Sequence, residues 1–164
     1  MPNALKKIEN KIYTLNQLMI QMKNWKAHKK KVIFSNGCFD LIHLGHIEIL
    51  ARSSDLGDIL IVAINSDKSI KKIKGNKRPI LEEESRLKQI AALEFVDVVV
   101  LFDEENPYEI IKSLLPNVIV KGGDYCPEDV IGNNLITQSG GEVIIIPLTK
   151  GYSTTTIFDK IKNE

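Results

Sequence analysis

Residues 31–46 read KVIFSNGCFDLIHLGH, and the order of their chemistry decides the fold. The continuous apolar, β-branched run KVIFSN passes through a glycine into a loop, then into a segment where Leu44, Ile47, Leu50 and Ala51 recur at helical spacing. A strand that is apolar on both faces and feeds a helix belongs in a parallel sheet covered on both sides. Further runs of the same kind follow: ILIVAIN (59–65), VDVVVLF (96–102), NVIVKGG (117–123) and EVIIIPL (142–148). Helix-patterned segments separate them. One spans 44–56 and ends at Gly57, where a helix-ending glycine belongs. Another spans 82–94, with the acidic EEE at the positive end of its dipole and a stripe of Leu87, Ile90, Ala91 and Leu93. Pro107 opens a short helix that Pro116 ends, and a last helix starts near Thr154 and runs to the C-terminus.

Strand and helix in alternation predict an α/β fold, a Rossmann-like doubly wound parallel sheet of five strands with right-handed crossovers. Residues 31–164 form its core, and residues 1–30 read as a leading helical segment of the same domain. That segment carries Leu15, Leu18, Met19 and Met22 on one side, suited to covering the sheet or to pairing subunits as a homodimer. Ligands in such folds bind beyond the carboxyl ends of the strands, near the point where strand order reverses. The loops to inspect are therefore 36–45, 65–78, 102–106, 121–127 and 147–155.

Composition narrows the partners. A formal net charge of +1 gives no global attraction for a nucleic-acid polyanion, although lysines cluster at 29–31 and 71–77. The expected anion is small. No window approaches the roughly 20 apolar residues of a membrane span, and the start MPNALKKIENKIYTL lacks the apolar core of a secretory signal, so a cytoplasmic location is expected. Cys38 and Cys126 are far apart and form no close-spaced pair, which points to reduced thiols rather than a disulfide framework.

His43 and His46 are two of only three histidines, three apart on one helix face and just past the first strand. One histidine at a helix start can simply satisfy backbone carbonyls or solvent. Zinc is a second reading, with Cys38, Asp40, His43 and His46 as ligand types, but the spacing matches neither a structural cysteine set nor the i, i+4 pair of a zinc protease, so no metal site is assigned. Phosphate is the third. Gly45 leaves room for a ligand, the helix start offers free N–H groups and a positive dipole end, and two imidazoles can donate to phosphoryl oxygens. Neither GxxxxGKS nor GxGxxG is present.

Near the other end, GYSTTTI (151–157) sets Ser153, Thr154 and Thr155 at the mouth of the last helix. Alone this reads as an ordinary Ser/Thr cap. Together with HLGH it resembles the paired motifs of the HxGH nucleotidyltransferase superfamily, and the fold expected is that superfamily's. In it both histidines stabilise the charge that develops as pyrophosphate leaves, and the Ser-Thr-Thr turn grips the outer phosphates. Along nearly the whole chain, SNGCFDLIHLGH, VAINSD, KGNKRP, VKGGDY, GGEVIIIP and GYSTT are similar, in order and spacing, to the adenylyltransferase half of the bacterial enzymes that make ADP-heptose. That resemblance implies AMP transfer from ATP to D-glycero-β-D-manno-heptose 1-phosphate with magnesium, on the route to lipopolysaccharide. Many members carry a fused sugar kinase; this chain resembles the free-standing form, which implies a separate kinase and phosphatase.

Residue by residue, the resemblance makes His43, His46 and Lys74 catalytic and sets Phe39 and Asp40 beside the nucleotide and the acceptor. Asp67 falls on the acceptor side, and Lys72 and Lys74 on a loop that closes over the phosphates. Arg86 supports the site beside the substrate. Lys121 and Asp124 fall where the family contacts the nucleotide sugar or base, although taken alone they read equally well as a charge pair capping the loop. Glycerol-3-phosphate cytidylyltransferases carry an arginine where Leu148 stands and a threonine where Cys38 stands. Leucine cannot replace a bidentate anion contact, which weakens the cytidylyltransferase alternative. A non-catalytic nucleotide sensor on the same fold is the alternative of another class.

Overall fold

The computed structural model describes residues 3–149 and 151–162. Its first elements are α1 (Ala4–Glu9), β1 (Ile12–Tyr13) and α2 (Leu15–Ala27). Next come β2 (Val32–Gly37), α3 (Leu44–Ser54), β3 (Ile59–Asn65), α4 (Asp67–Lys74) and α5 (Glu83–Ala91). The chain continues through β4 (Val98–Phe102), α6 (Tyr108–Leu114), β5 (Val118–Gly122), α7 (Asn133–Gln138), β6 (Glu142–Ile146) and α8 (Thr154–Lys162). The strands form one parallel sheet in the order β1-β4-β3-β2-β5-β6.

Alternation along each strand divides the apolar residues between two layers, as the pleat requires. Phe34, Ile61, Ala63, Val100 and Ile119 pack against Leu18 and Met22 of α2, Ile110, Ile111 and Leu114 of α6, and Ile136 of α7. Ile33, Leu60, Val62, Val99, Val118 and Val120 pack on the other face against Leu50 of α3 and Ile90 and Ala91 of α5. The five expected strands are all present.

The expectations for the leading segment and the second loop need correction. Six strands, not five, make the sheet, because the leading 1–30 segment is two helices separated by β1, whose Ile12 and Tyr13 pair with Val99 and Val100. The 65–78 stretch is not a loop throughout. Ser66 caps α4 by accepting from the Ser69 N–H, so Lys72 and Lys74 stand on a helix that ends at Gly75, φ 86°. Leu115, in the left-handed region at φ 45°, ends α6 just before Pro116. Helix α8 begins at Thr154 as expected; its expected run through 163–164 lies outside the described residues. Among the described residues no helix is long and apolar enough to cross a membrane.

Strand β2 is followed on one side by β3 and on the other by β5, so strand order reverses between β2 and β5. The crevice at their carboxyl ends is where such a sheet opens to a ligand.

Candidate active site

A cleft of about 180 Å³ lies at that point, walled by Ser35, Asn36 and Gly37 of β2, Lys121 and Gly122 of β5, Phe39, His46, Ile49 and Leu148. Chain reversal puts Phe39 at φ 47°, a conformation that costs a bulky residue of the order of 1–3 kcal/mol and recurs at functional sites. Its ring lies over Gly37, where a Cβ would come within 3.1 Å of Cε2. The other side of Phe39 meets the His46 ring, centroids 5.1 Å apart and tilted by 58°. Phe39 is thus a nearly buried wedge that fixes an imidazole and lines the cleft.

His43 and His46 are stacked, with centroids 3.8 Å apart and planes 23° from parallel. His43 sits at the N-cap of α3 without capping it, and the Nδ1 atoms of both rings are buried with no hydrogen-bond partner. Two imidazoles at an uncapped helix start, with only the Leu41 carbonyl drawing on His46, leave donors and a positive dipole end for an anion. Gly45 has a second role beyond leaving space: a Cβ there would lie 3.1 Å from His43 Nδ1 and 3.8 Å from Tyr152 Cβ. The glycine therefore seats the His43 ring and lets the 151–153 turn approach.

Burial pushes the His46 pKa down to about 4, helped by His43 and then by the Lys74 ammonium, against an upward pull from the Leu41 carbonyl. Burial also lowers His43. Both rings are neutral at pH 7, each with one N–H to donate. The unfolded chain would titrate His46 near 6.5, so between about 4 and 6.5 the unfolded state holds more protons and stability falls as pH falls. A bound polyanion favours the imidazolium and raises the folded value. The His46 ring should therefore titrate near 4 in the free protein by NMR and move upward on adding ATP; a free-protein midpoint near 6.5 would contradict the packing.

The sequence candidates separate into groups. Lys74 is close enough to depress His46, whereas Lys72 is exposed in a groove with Asp67, Lys68, Lys71 and Glu82 to Glu84. Ser153 caps α8, accepting from the Thr156 N–H at 3.0 Å and bonding the Thr156 hydroxyl at 2.7 Å. Thr155 is exposed, and Thr154 is half-buried beside Ser153. Thr149 donates to the Glu48 carboxylate, which fastens the segment before this turn to α3. Asp124 is exposed in the loop beyond β5 and forms no ion pair with Lys121. The charge-pair reading of that loop therefore fails.

Asp40 and Arg86 are turned inward. Asp40, 2% exposed, accepts from the Ile80 and Leu81 N–H groups at 2.7 and 3.0 Å. Arg78 Nε lies 2.7 Å from its other oxygen in a charge contact whose N–H points off the line between them. Arg86 is fully buried, its guanidinium spent on the Cys38, Asn65 and Leu81 carbonyls and the Asp67 carboxylate. Sequence reading had not singled out Arg78, which also stands 5.7 Å over the Phe158 ring of α8. The KRP stretch displayed the residue, but its partners come from distant segments that no local pattern reveals.

Comparison with known proteins gives the lineage. The model of the cytidylyltransferase-like family matches residues 34–160. Bifunctional protein HldE of Azorhizobium caulinodans is 47% identical over 84% of this chain and 29% of that protein. The protein of the same name from Citrifermentans bemidjiense is 44% identical over 97% of this chain and 33% of its own length. The chain thus spans about a third of the curated relatives it matches. The crystal structure of the lipopolysaccharide core biosynthesis protein from Thermoplasma volcanium GSS1 superposes with a TM-score of 0.59 at 32% identity, covering 76% of this chain and 99% of that one. With its parallel sheet, its paired histidines and a match that runs from β2 into α8, the chain belongs to the cytidylyltransferase-like family of nucleotidyltransferases.

Proposed function

We propose that the protein transfers AMP from ATP to D-glycero-β-D-manno-heptose 1-phosphate, giving ADP-heptose and pyrophosphate. The observation that carries the transfer reading is the stacked His43–His46 pair at the uncapped start of α3, beside Lys74 and within reach of the 151–153 turn. A phosphate oxygen of the sugar phosphate attacks the α-phosphorus in line, the α–β bridging bond breaks, and its electron pair leaves with pyrophosphate. The neutral imidazoles donate to the departing oxygens and Lys74 adds charge, a gain from positioning and electrostatics with no covalent intermediate. Ser153 to Thr155 hold the outer phosphates at the mouth of α8.

Magnesium fits as a passenger of the triphosphate. No side chain lining the cleft is a carboxylate, and the buried Asp40 is already engaged by Arg78 and two N–H groups. Such a site takes a cation whose ligands are mostly phosphate oxygens and water. The choice of heptose phosphate and of adenine rests on the motif similarity over nearly the whole chain and on Leu148, which lines the cleft where an arginine marks the glycerol-3-phosphate cytidylyltransferases. A sugar kinase must supply the acceptor and a phosphatase act in the same route.

The test is pyrophosphate release with magnesium, crossing ATP, CTP and GTP against heptose 1-phosphate and glycerol 3-phosphate. Release confined to ATP with heptose 1-phosphate is the expected result. Release with CTP and glycerol 3-phosphate would replace the substrates and keep the chemistry. Nucleotide binding without release from any pair would leave a sensor.

A further inference from the structure

Lys121, near the end of β5, contributes to the same cleft as His46, and none of the residues walling that cleft is acidic. Among the described residues no carboxylate oxygen lies within 4.0 Å of its ammonium. Burial lowers its pKa from the ordinary lysine value. Lys121 is half-buried, and a partly desolvated cation is costly unless an anion meets it. Among the described residues Lys121 makes no ion pair, and the Cys38 side chain alone offsets part of the cost of its burial. The missing anion belongs to a ligand.

The surroundings define that ligand. Gly37, Phe39, Ile49, Gly122 and Leu148 make the rest of the cleft largely apolar. His46, which lines the same cleft as Lys121, belongs to the imidazole pair assigned above to the leaving phosphates. Cys38, at the β2 side, directs its thiol 3.8 Å toward the Asn65 side-chain oxygen, and a thiol is in any case a weak donor. The strongest donor left at the β2–β5 crevice is the Lys121 ammonium.

We propose that Lys121 binds a phosphoryl anion at the reacting end of the substrates, on the side of the centre away from the leaving pyrophosphate. The anion is either the α-phosphate of the nucleotide or the phosphate of the incoming acceptor. This rests on the nucleotidyl-transfer reading and gives that centre a division of labour. His43, His46 and Lys74 take the charge that departs; Lys121 offsets the repulsion between two phosphates that must approach to bonding distance. It stays protonated throughout, since the only bonds exchanged are at the α-phosphorus.

Lys121→Met keeps the length and removes the charge. Calorimetric titration of AMP against adenosine, and of CMP against cytidine, isolates the α-phosphate without requiring turnover. The KM for heptose 1-phosphate isolates the acceptor. Loss of one charged hydrogen bond should weaken one of these phosphoryl ligands about ten- to a hundredfold, with nucleoside affinity unchanged and an unfolding midpoint equal or higher. A vanished advantage of nucleotide over nucleoside assigns the α-phosphate; a preserved advantage with a raised acceptor KM assigns the acceptor phosphate. Nucleoside and nucleotide weakening together, or no change in either arm, overturns the proposal. A wild-type protein that releases no pyrophosphate, yet loses its nucleotide preference on Lys121→Met, would retain this site while the transfer reading fails.

Discussion

Replacing His46 by alanine should lower kcat by about 10²- to 10³-fold, the effect of removing one preorganised oxyanion donor, or about 2.7–4 kcal/mol of barrier. His46 is the better probe of the pair because the structure commits so much to its orientation. Phe39 is held in a left-handed conformation against one face, His43 stacks on another, and Gly45 is left without a side chain so that His43 can lie where it does. The ring is held neutral, with its pKa near 4, so it acts as a hydrogen-bond donor whose full value is reached when negative charge develops. ATP affinity should change much less than kcat if, as proposed, the 153–155 turn and Lys74 hold the phosphates. His46→Asn, which keeps a neutral N–H donor, should retain more activity than His46→Ala. Turnover unchanged in a folded His46→Ala protein would remove the histidine from the chemistry.

The layout of this site was legible in the sequence to the extent that its parts are local. KVIFSN, ILIVAIN and their successors are long, apolar on both faces and bounded by turns, so they announced strands of a covered parallel sheet. HLGH and STT announced their places at the starts of α3 and α8, because helix starts are built within a few residues. Strand β1 was missed because two residues have no period, and Ile12–Tyr13 becomes a strand only by pairing with β4. Helix α4 was read as a loop because DKSIKKIK buries little of itself, with Ser69 and Ile70 its buried residues. What remained hidden was the wiring between loops. The Asp40–Arg78 contact, the Arg78–Phe158 stack and the lack, among the described residues, of a carboxylate within 4.0 Å of Lys121 are long-range facts with no local signature.

Arg86 is the extreme case of that wiring, and its removal should be the most destabilising single change at the site. Its Nη1 donates to the Cys38 carbonyl at 2.7 Å and the Asn65 carbonyl at 2.8 Å, its Nε to Leu81 at 3.0 Å, and its Nη2 to Asp67 at 2.7 Å. One planar cation thus ties the loop after β2, the end of β3, the start of α4 and the residues before α5. Arg86→Ala would leave these acceptors facing a void inside the protein. Breaking a buried charged pair from one side costs roughly 3–5 kcal/mol, a large share of the about 5–15 kcal/mol that holds a typical domain folded. Arg86→Lys should recover only part, because a single ammonium cannot serve acceptors converging from separate segments through the fork of a guanidinium. Urea unfolding measures the loss, and steady-state kinetics separates the two roles open to this residue. A positioning residue predicts a lowered unfolding midpoint in both variants, with activity falling as the histidine loop loses its tie to β3. A raised KM at an unchanged midpoint would instead mean that Arg86 leaves its internal acceptors and reaches the substrate itself.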